Sequence, residues 1–384
     1  MNDNTGQKNI IQIIKNDTNF IKINCQLVME ARKFIFFHTY IFEDDSVTAP
    51  LIESLCTASS RGVKIFFLID AIGSPSLKDE TVKKLSHSGV HFTYFTPLFN
   101  FTYLGRRLHQ KMLIIDNKKL LLGGINYGKS FNDPEGQAPW LDYACLAEGE
   151  IVQKTFKNIH SIYLSHFTRN KKEILACLDI KNTVEKQTII KINVNDWMKY
   201  KQDIYHSYMT AIKNAQDEII ILATYFLPSK KLLKSLKKAS QRGVQIHLIF
   251  SSRSDHLVVD LASEYYYRWY LDNNINIYEW SESIIHGKVA VIDELWSTIG
   301  SYNHNYTSQY GNLEANLEIF DKAFSLEVKK ELKGILEKSH IIDDAKIKEG
   351  YLGRILVSLV YFLTNFIMLI SLFFIYTRNK KENK

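Results

Sequence analysis

Apolar and polar positions follow one another in two matching arrangements along this chain. Lys33-Phe-Ile-Phe-Phe-His-Thr-Tyr40 is a short apolar run, aromatic-rich and bounded by polar residues, which predicts a buried strand. A helix-like stretch rich in Leu and Ser follows. It ends in Ala58-Ser-Ser-Arg-Gly-Val-Lys-Ile65, where Gly62 reads as a helix C-cap and the next strand opens. Gly89-Val-His-Phe-Thr-Tyr94 predicts a further strand. The later half repeats the series with Glu218-Ile-Ile-Ile-Leu-Ala-Thr-Tyr225, Ala239-Ser-Gln-Arg-Gly-Val-Gln-Ile246 and Asn274-Ile-Asn-Ile-Tyr278. Each series then reaches an apolar hairpin: His109-Gln-Lys-Met-Leu-Ile-Ile-Asp116 with its return Gly123-Gly-Ile-Asn126, and His286-Gly-Lys-Val-Ala-Val-Ile-Asp293 with Gly300-Ser-Tyr-Asn303.

The series strand, helix, strand, helix, strand, hairpin predicts an α/β unit with a mixed sheet. A separation of about 180 residues between the copies is too long for a solenoid repeat. It predicts two similar α/β/α domains about a pseudo-twofold axis. The first covers 1–182 and the second 183–345, joined near the Lys- and Asn-containing interval 171–186, with a tail over 346–384.

That tail changes the picture. Ile355–Tyr376 carries no charge and, at 1.5 Å per residue, reaches roughly 33 Å, enough to cross a hydrocarbon core. Arg354 and Arg378-Asn-Lys-Lys flank it with cations suited to headgroups. A C-terminal apolar membrane helix is expected; a helix lying in the interface, a short re-entrant hairpin or a buried core helix fits the same residues. Because both flanks are basic, they do not set an orientation.

Composition adds less. The chain has 384 residues, 46% of them hydrophobic, sufficient for two cores and unlike a disordered segment. A net charge of +7 suits a polyanionic partner, anionic lipid or nucleic acid. Cys25, Cys56, Cys145 and Cys177 lie far apart, which excludes a Cys-x-x-Cys metal or redox site and fits a reducing compartment. The polar N-terminus has no apolar signal-peptide segment, so the catalytic part is expected on the cytoplasmic face.

Period two places His109 and Lys111 on one strand face and His286 and Lys288 on one face of the other. Asp116 and Asp293 fall at the strand ends, where they would fix the turn or pair with a lysine or backbone N–H. If both His/Lys faces meet across a domain interface, two imidazoles flank one phosphoryl group. One attacks phosphorus, giving a phosphohistidine; the other protonates the departing alkoxide and then deprotonates the incoming alcohol or water. Lys111, Lys288, Asn126 and Asn303 would offset charge on the phosphoryl oxygens. With two ammonium groups present, no metal or other cofactor is required. Asp142, in Trp140-Leu-Asp-Tyr, and Glu314, in Asn312-Leu-Glu-Ala-Asn316, are candidates to hold the second ring nitrogens, or else are sheet-end ion-pair partners.

These residues resemble the phospholipase D superfamily, whose duplicated His-x-Lys-x-x-x-x-Asp they share. Phe42-Glu-Asp-Asp, Gly73-Ser-Pro75, Tyr225-Phe with Pro228, and Ser308 with Asn312-Leu-Glu-Ala-Asn316 are similar to the bacterial cardiolipin synthases of the B type, over roughly residues 10–340. The resemblance implies His109 as nucleophile and His286 as acid/base. It implies phosphatidyl transfer that joins two phosphatidylglycerols and releases glycerol, with phosphatidylethanolamine as another possible donor. A monomer at the bacterial inner membrane, with no nucleic-acid partner, would follow. A nuclease of the same fold, or a phospholipase using water as acceptor, stays open on the residues alone; the apolar tail is a burden to the nuclease.

Three further features are noted. His38 reads as structural, because Ala223 stands at its place in the second half. His304 is within reach of a lipid phosphate or incidental. Thr93–Arg107, aromatic and ending in Arg106-Arg107, is either a lip that dips into lipid and guides phosphates or a buried aromatic cluster.

Overall fold

The computed structural model describes residues 10–17, 19–95, 106–179, 189–196, 199–253, 262–343 and 362. The chain forms two compact units. The first comprises Met1–Asn100, Arg107–Pro139 and Tyr143–Ile192; the second comprises Phe101–Arg106, Trp140–Asp142 and Asn193–Lys384.

In the first unit the strands are β1 (Ile11–Lys15), β2 (Phe34–Thr39), β3 (Lys64–Ile69), β4 (His91–Tyr94), β5 (Lys111–Ile115), β6 (Lys119–Gly123) and β7 (Tyr143–Glu148), in sheet order β1-β7-β6-β5-β2-β3-β4. β2, β3 and β4 run parallel, because each is reached by a helical crossover, while the β5–β6 hairpin is antiparallel to its neighbours. Strand parity sorts the core. Ile35, Phe37, Ile65, Phe67, Leu113 and Ile115 pack with the helices Phe20–Glu30 and Ala49–Ser60. Phe36 points to the other face and meets Phe156 and Tyr163 of the helix Glu150–His166 at 4.4 and 4.8 Å between ring centroids. Fully burying each such ring contributes about 2–3 kcal/mol.

The second unit repeats this with β8 (Ile189–Asp196), β9 (Lys201–Gln202), β10 (Glu218–Leu222), β11 (Gln245–Ser251), β12 (Asn276–Trp280), β13 (Val289–Ile292), β14 (Trp296–Gly300), β15 (Glu314–Phe320) and β16 (His340–Ile342). Read from β8, the order β8-β15-β14-β13-β10-β11-β12 is the order of the first sheet; β9 and β16 extend its two edges. The helices Asp203–Asn214 and Lys230–Gln241 cover one face. The helix Lys322–Lys338, started by Asp321 accepting from the Phe324 N–H, packs on the opposite side.

The predicted strands and hairpins are therefore present in both halves. The pattern did not include the closing helices Glu150–His166 and Lys322–Lys338. None of the four cysteines forms a disulfide. The expected membrane helix Ile355–Tyr376 lies outside the described residues except for Phe362. Among the described residues no helix is long and apolar enough to cross a membrane.

Candidate active site

The hairpin turns are built alike. Asp116 and Asn117 have φ of 52° and 54°, and Asp293 and Glu294 have 52° and 57°. Two successive left-handed residues give the turn whose twist matches antiparallel strands. The Asp116 carboxylate accepts from the backbone N–H groups of Arg32, Lys33 and Phe34, each at 2.8 Å. Asp293 accepts likewise from Gln216, Asp217 and Glu218 at 2.7–2.9 Å. Each aspartate thus pins the start of the neighbouring central strand, β2 or β10, to the hairpin end remote from its histidine. Of the roles read from sequence, pairing with backbone N–H is the one observed.

At the other end of β5, His109 and Lys111 are buried, and the Lys111 ammonium donates to the His109 carbonyl at 2.8 Å. The Tyr40 ring lies 5.0 Å from the His109 ring, and the Lys111 Nζ sits over it at 5.3 Å. Tyr40 is itself fixed from below: the Ser74 hydroxyl donates to its carbonyl and accepts from the Phe42 N–H. A Cβ on Gly73 would collide with that same carbonyl, which accounts for glycine in Gly73-Ser-Pro75. Asp70, fully buried at the end of β3, accepts from the Leu108 N–H at 3.0 Å and so fixes the residue before His109.

The second unit gives the fuller constellation. Trp140–Asp142 runs beside the approach to β13: Leu141 donates to the Ile284 carbonyl, and His286 and Gly287 donate to the Leu141 carbonyl at 2.8 and 2.9 Å. This register delivers Asp142 Oδ2 to 2.6 Å from His286 Nδ1. Lys288 Nζ is 3.0 Å from the same nitrogen and also donates to the His286 carbonyl. An ammonium has protons only to give, so both contacts cannot be hydrogen bonds to a protonated Nδ1. The shorter, charge-assisted one decides: Nδ1–H donates to Asp142, and Lys288 stands beside the pair. That tautomer leaves Nε2 as the reacting nitrogen. Ser251, at the end of β11, accepts from the Ile285 N–H at 3.2 Å, the counterpart of Asp70 holding Leu108.

Asn126 and Asn303 follow the return strands and are buried, and the amide oxygen of each has no hydrogen-bond partner among the described residues. An amide buried with such capacity in hand is suited to a ligand. Gly123 and Gly300 end β6 and β14 against β7 and β15, where a Cβ would strike Ala144 and Asn316; this close approach explains the glycines of the return. Glu314 is fully buried and accepts from Ser301, Ser308 and Asn312.

The secondary candidates are placed as follows. His38 is buried with Nδ1 2.9 Å from the Tyr163 hydroxyl, and desolvation lowers its pKa to about 3. His304 is buried among the rings of Tyr208, Phe226 and Tyr302, its pKa also lowered to about 3 by burial. Neutral and enclosed, it does not supply a cation to phosphate. Of the lip, residues 96–105 lie outside the described residues. At its end, Arg106 Nη2 donates to both oxygens of the Asp196 carboxylate at 3.0 Å. Sequence reasoning missed Tyr40 as a ring beside the site, and Asp70 and Ser251 as anchors. Their signal was position, each standing at or just past the end of a central strand.

Two α/β lobes of identical strand order, each presenting His-x-Lys at the head of a hairpin strand, define a phospholipase D-like protein. The solved phosphatidylserine synthase of Haemophilus influenzae Rd KW20 has this fold, with a TM-score of 0.71 over 94% of this chain and 95% of that one at 12% identity. Residues 25–136 and 208–336 match the model of the family described as cardiolipin synthase, phospholipase D-like domain, and the chain belongs to that family. It is 32% identical to the cardiolipin synthase B of Escherichia coli K12 over 338 residues, 85% of this chain and 80% of that one. It is 27% identical to a minor cardiolipin synthase of Bacillus subtilis over 88% of this chain and 83% of that one.

Proposed function

We propose that this protein is a cardiolipin synthase that transfers a phosphatidyl group between phospholipids through a phosphohistidine. The observation that carries the reading is the Asp142–His286–Lys288 constellation, together with a second buried His/Lys pair, His109 and Lys111, in a member of this family. The relatives named above are cardiolipin synthases, and their activity supports the same reaction here.

In this mechanism both histidines address one phosphorus. His109 Nε2 attacks the phosphodiester of a phosphatidylglycerol, forming an N–P bond while the P–O bond to glycerol breaks. His286, protonated on Nε2 and held by Asp142, gives its proton to the departing glycerol oxygen. It then removes the proton from a glycerol hydroxyl of a second phosphatidylglycerol, whose oxygen attacks phosphorus and releases His109. Lys111, Lys288 and the Asn126 and Asn303 amides balance charge on the equatorial oxygens. Glu314 is proposed to hold His109 as Asp142 holds His286. Asp116 and Asp293 fix the hairpins that carry both pairs. Residues 346–384 attach a monomer to the inner membrane with the two lobes on the cytoplasmic side.

Expression in bacteria lacking cardiolipin, followed by lipid chromatography, tests the assignment: cardiolipin should appear with the intact chain and not with His109→Ala. Phosphatidic acid alone would instead identify a hydrolase. A radiolabelled phosphoenzyme should persist in His286→Ala and vanish in His109→Ala; the opposite pattern would exchange the two roles.

A further inference from the structure

The helices Ala49–Ser60 and Lys230–Gln241 occupy equivalent places, each crossing between the first two parallel strands of its unit. Their surfaces differ. The first, APLIESLCTASS, has Glu53 as its one charged residue. The second, KKLLKSLKKASQ, buries Leu232, Leu233, Leu236 and Ala239 and exposes Lys230, Lys231, Lys234, Lys237 and Lys238, with no acidic residue. The fold does not call for this charge, because its counterpart does without it. Lys230 and Lys231 also lie in the first turn, where the helix dipole disfavours cations. In the helix Lys322–Lys338, by contrast, two lysines are matched: Lys329 pairs with Glu218 and Glu294 and Lys333 with Glu218. None of the five has an ion-pair partner among the described residues.

A second observation concerns the same side of the second unit. Phe362, within the apolar stretch Ile355–Tyr376, places its ring 6.2 Å from that of Tyr265. Tyr265 packs on the same core cluster as Leu232, Leu233 and Leu236. Phe362 thus meets the second unit on the helical layer that carries the five lysines.

We infer that the exposed face of the helix Lys230–Gln241 is an electrostatic docking surface for an anionic phospholipid bilayer, and that it seats the second unit on the membrane holding its substrate. The choice of partner rests on the function proposed above. Lysines present point charges that suit a diffuse anionic surface, rather than the bidentate forks that read individual phosphates. Each lysine near such a surface strengthens binding about five-fold.

The test replaces all five lysines by Gln, a comparable helix former, in the full-length chain and measures flotation with two kinds of vesicle: phosphatidylcholine alone, and phosphatidylcholine mixed equally with phosphatidylglycerol. Wild type should favour the mixed vesicles, less so at high salt. The Gln variant should lose at least about 10-fold in affinity for them, while a Lys→Arg variant at the same five positions should bind as wild type. Turnover of a short-chain, monomeric phosphatidylglycerol should be unchanged. Unaltered vesicle binding by a folded Gln variant overturns the inference. So does an equal loss from K322Q/K330Q/K338Q on the opposite layer, or a loss confined to binding of a DNA duplex. A wild type that makes no cardiolipin, yet needs the five lysines to bind the mixed vesicles, would leave this surface standing and remove the proposed reaction.

Discussion

Asp142 and His286 stand 144 residues apart in the chain and 2.6 Å apart in space. A carboxylate so placed selects the tautomer with Nε2 free and stabilises the imidazolium formed during proton transfer. Asp142→Asn should lower turnover by about 100-fold or more, with KM for phosphatidylglycerol changed only a few-fold and the melting temperature little altered. A variant within a few-fold of wild-type turnover would reduce the pair to an ordinary buried ion pair.

Asp116 and Asp293 should behave differently, because each binds three backbone N–H groups. Removing the carboxylate in Asp116→Ala leaves three donors without an acceptor, a loss of about 3 kcal/mol. Asp293→Ala should lose roughly half as much, since two of its three bonds are solvent-exposed. Urea midpoints measure both. Residual activity of the folded fraction should fall by no more than about 100-fold, the order set by misplacement rather than lost chemistry.

Tyr40 has a ring that Lys111 Nζ overlies at 5.3 Å. Tyr40→Leu should reduce kcat by about 2- to 30-fold, the equivalent of one cation–π contact, and Tyr40→Phe should restore most of it. Equal losses in both variants would point to the hydroxyl instead.

Two buried histidines predict acid sensitivity. For His38 and His304 the folded-state pKa is lowered from 6.5 to about 3. The unfolded chain therefore binds protons that the folded one refuses, and stability is full above pH 6.5 and declines as pH falls toward 3. Each residue should contribute a slope of about 1.4 kcal/mol per pH unit in that window. His304→Asn should be less stable than wild type at neutral pH, with the gap narrowing on acidification when urea midpoints are compared. A gap independent of pH would mean that His304 takes up protons alike in the folded and the unfolded chain.

What sequence made legible was what depends on near neighbours. Period two gave the His/Lys faces, turn chemistry gave Asp116-Asn117, and repetition gave the common series of elements. The helix Glu150–His166 escaped, because its apolar stripe is clear only once Phe36 is seen to need cover on that face. Asp70 and Tyr40 act through residues far along the chain, and their one local mark is a place just past a strand end. The Arg106–Asp196 ion pair was hidden for the same reason: its members lie 90 residues apart. Asp142 could be named as a candidate from its place before a strand, but the backbone bridge that aims it belongs to tertiary structure.

Trp140–Asp142 belongs to the second unit although the chain on either side of it belongs to the first. Gene fission at the junction between the repeats would therefore not produce two self-sufficient halves. A fragment starting at residue 189 would keep His286 and Lys288 but leave behind the acid that steadies the ring. Swapping lobes between relatives to build chimaeras would meet the same obstacle unless this three-residue stitch travelled with the later lobe.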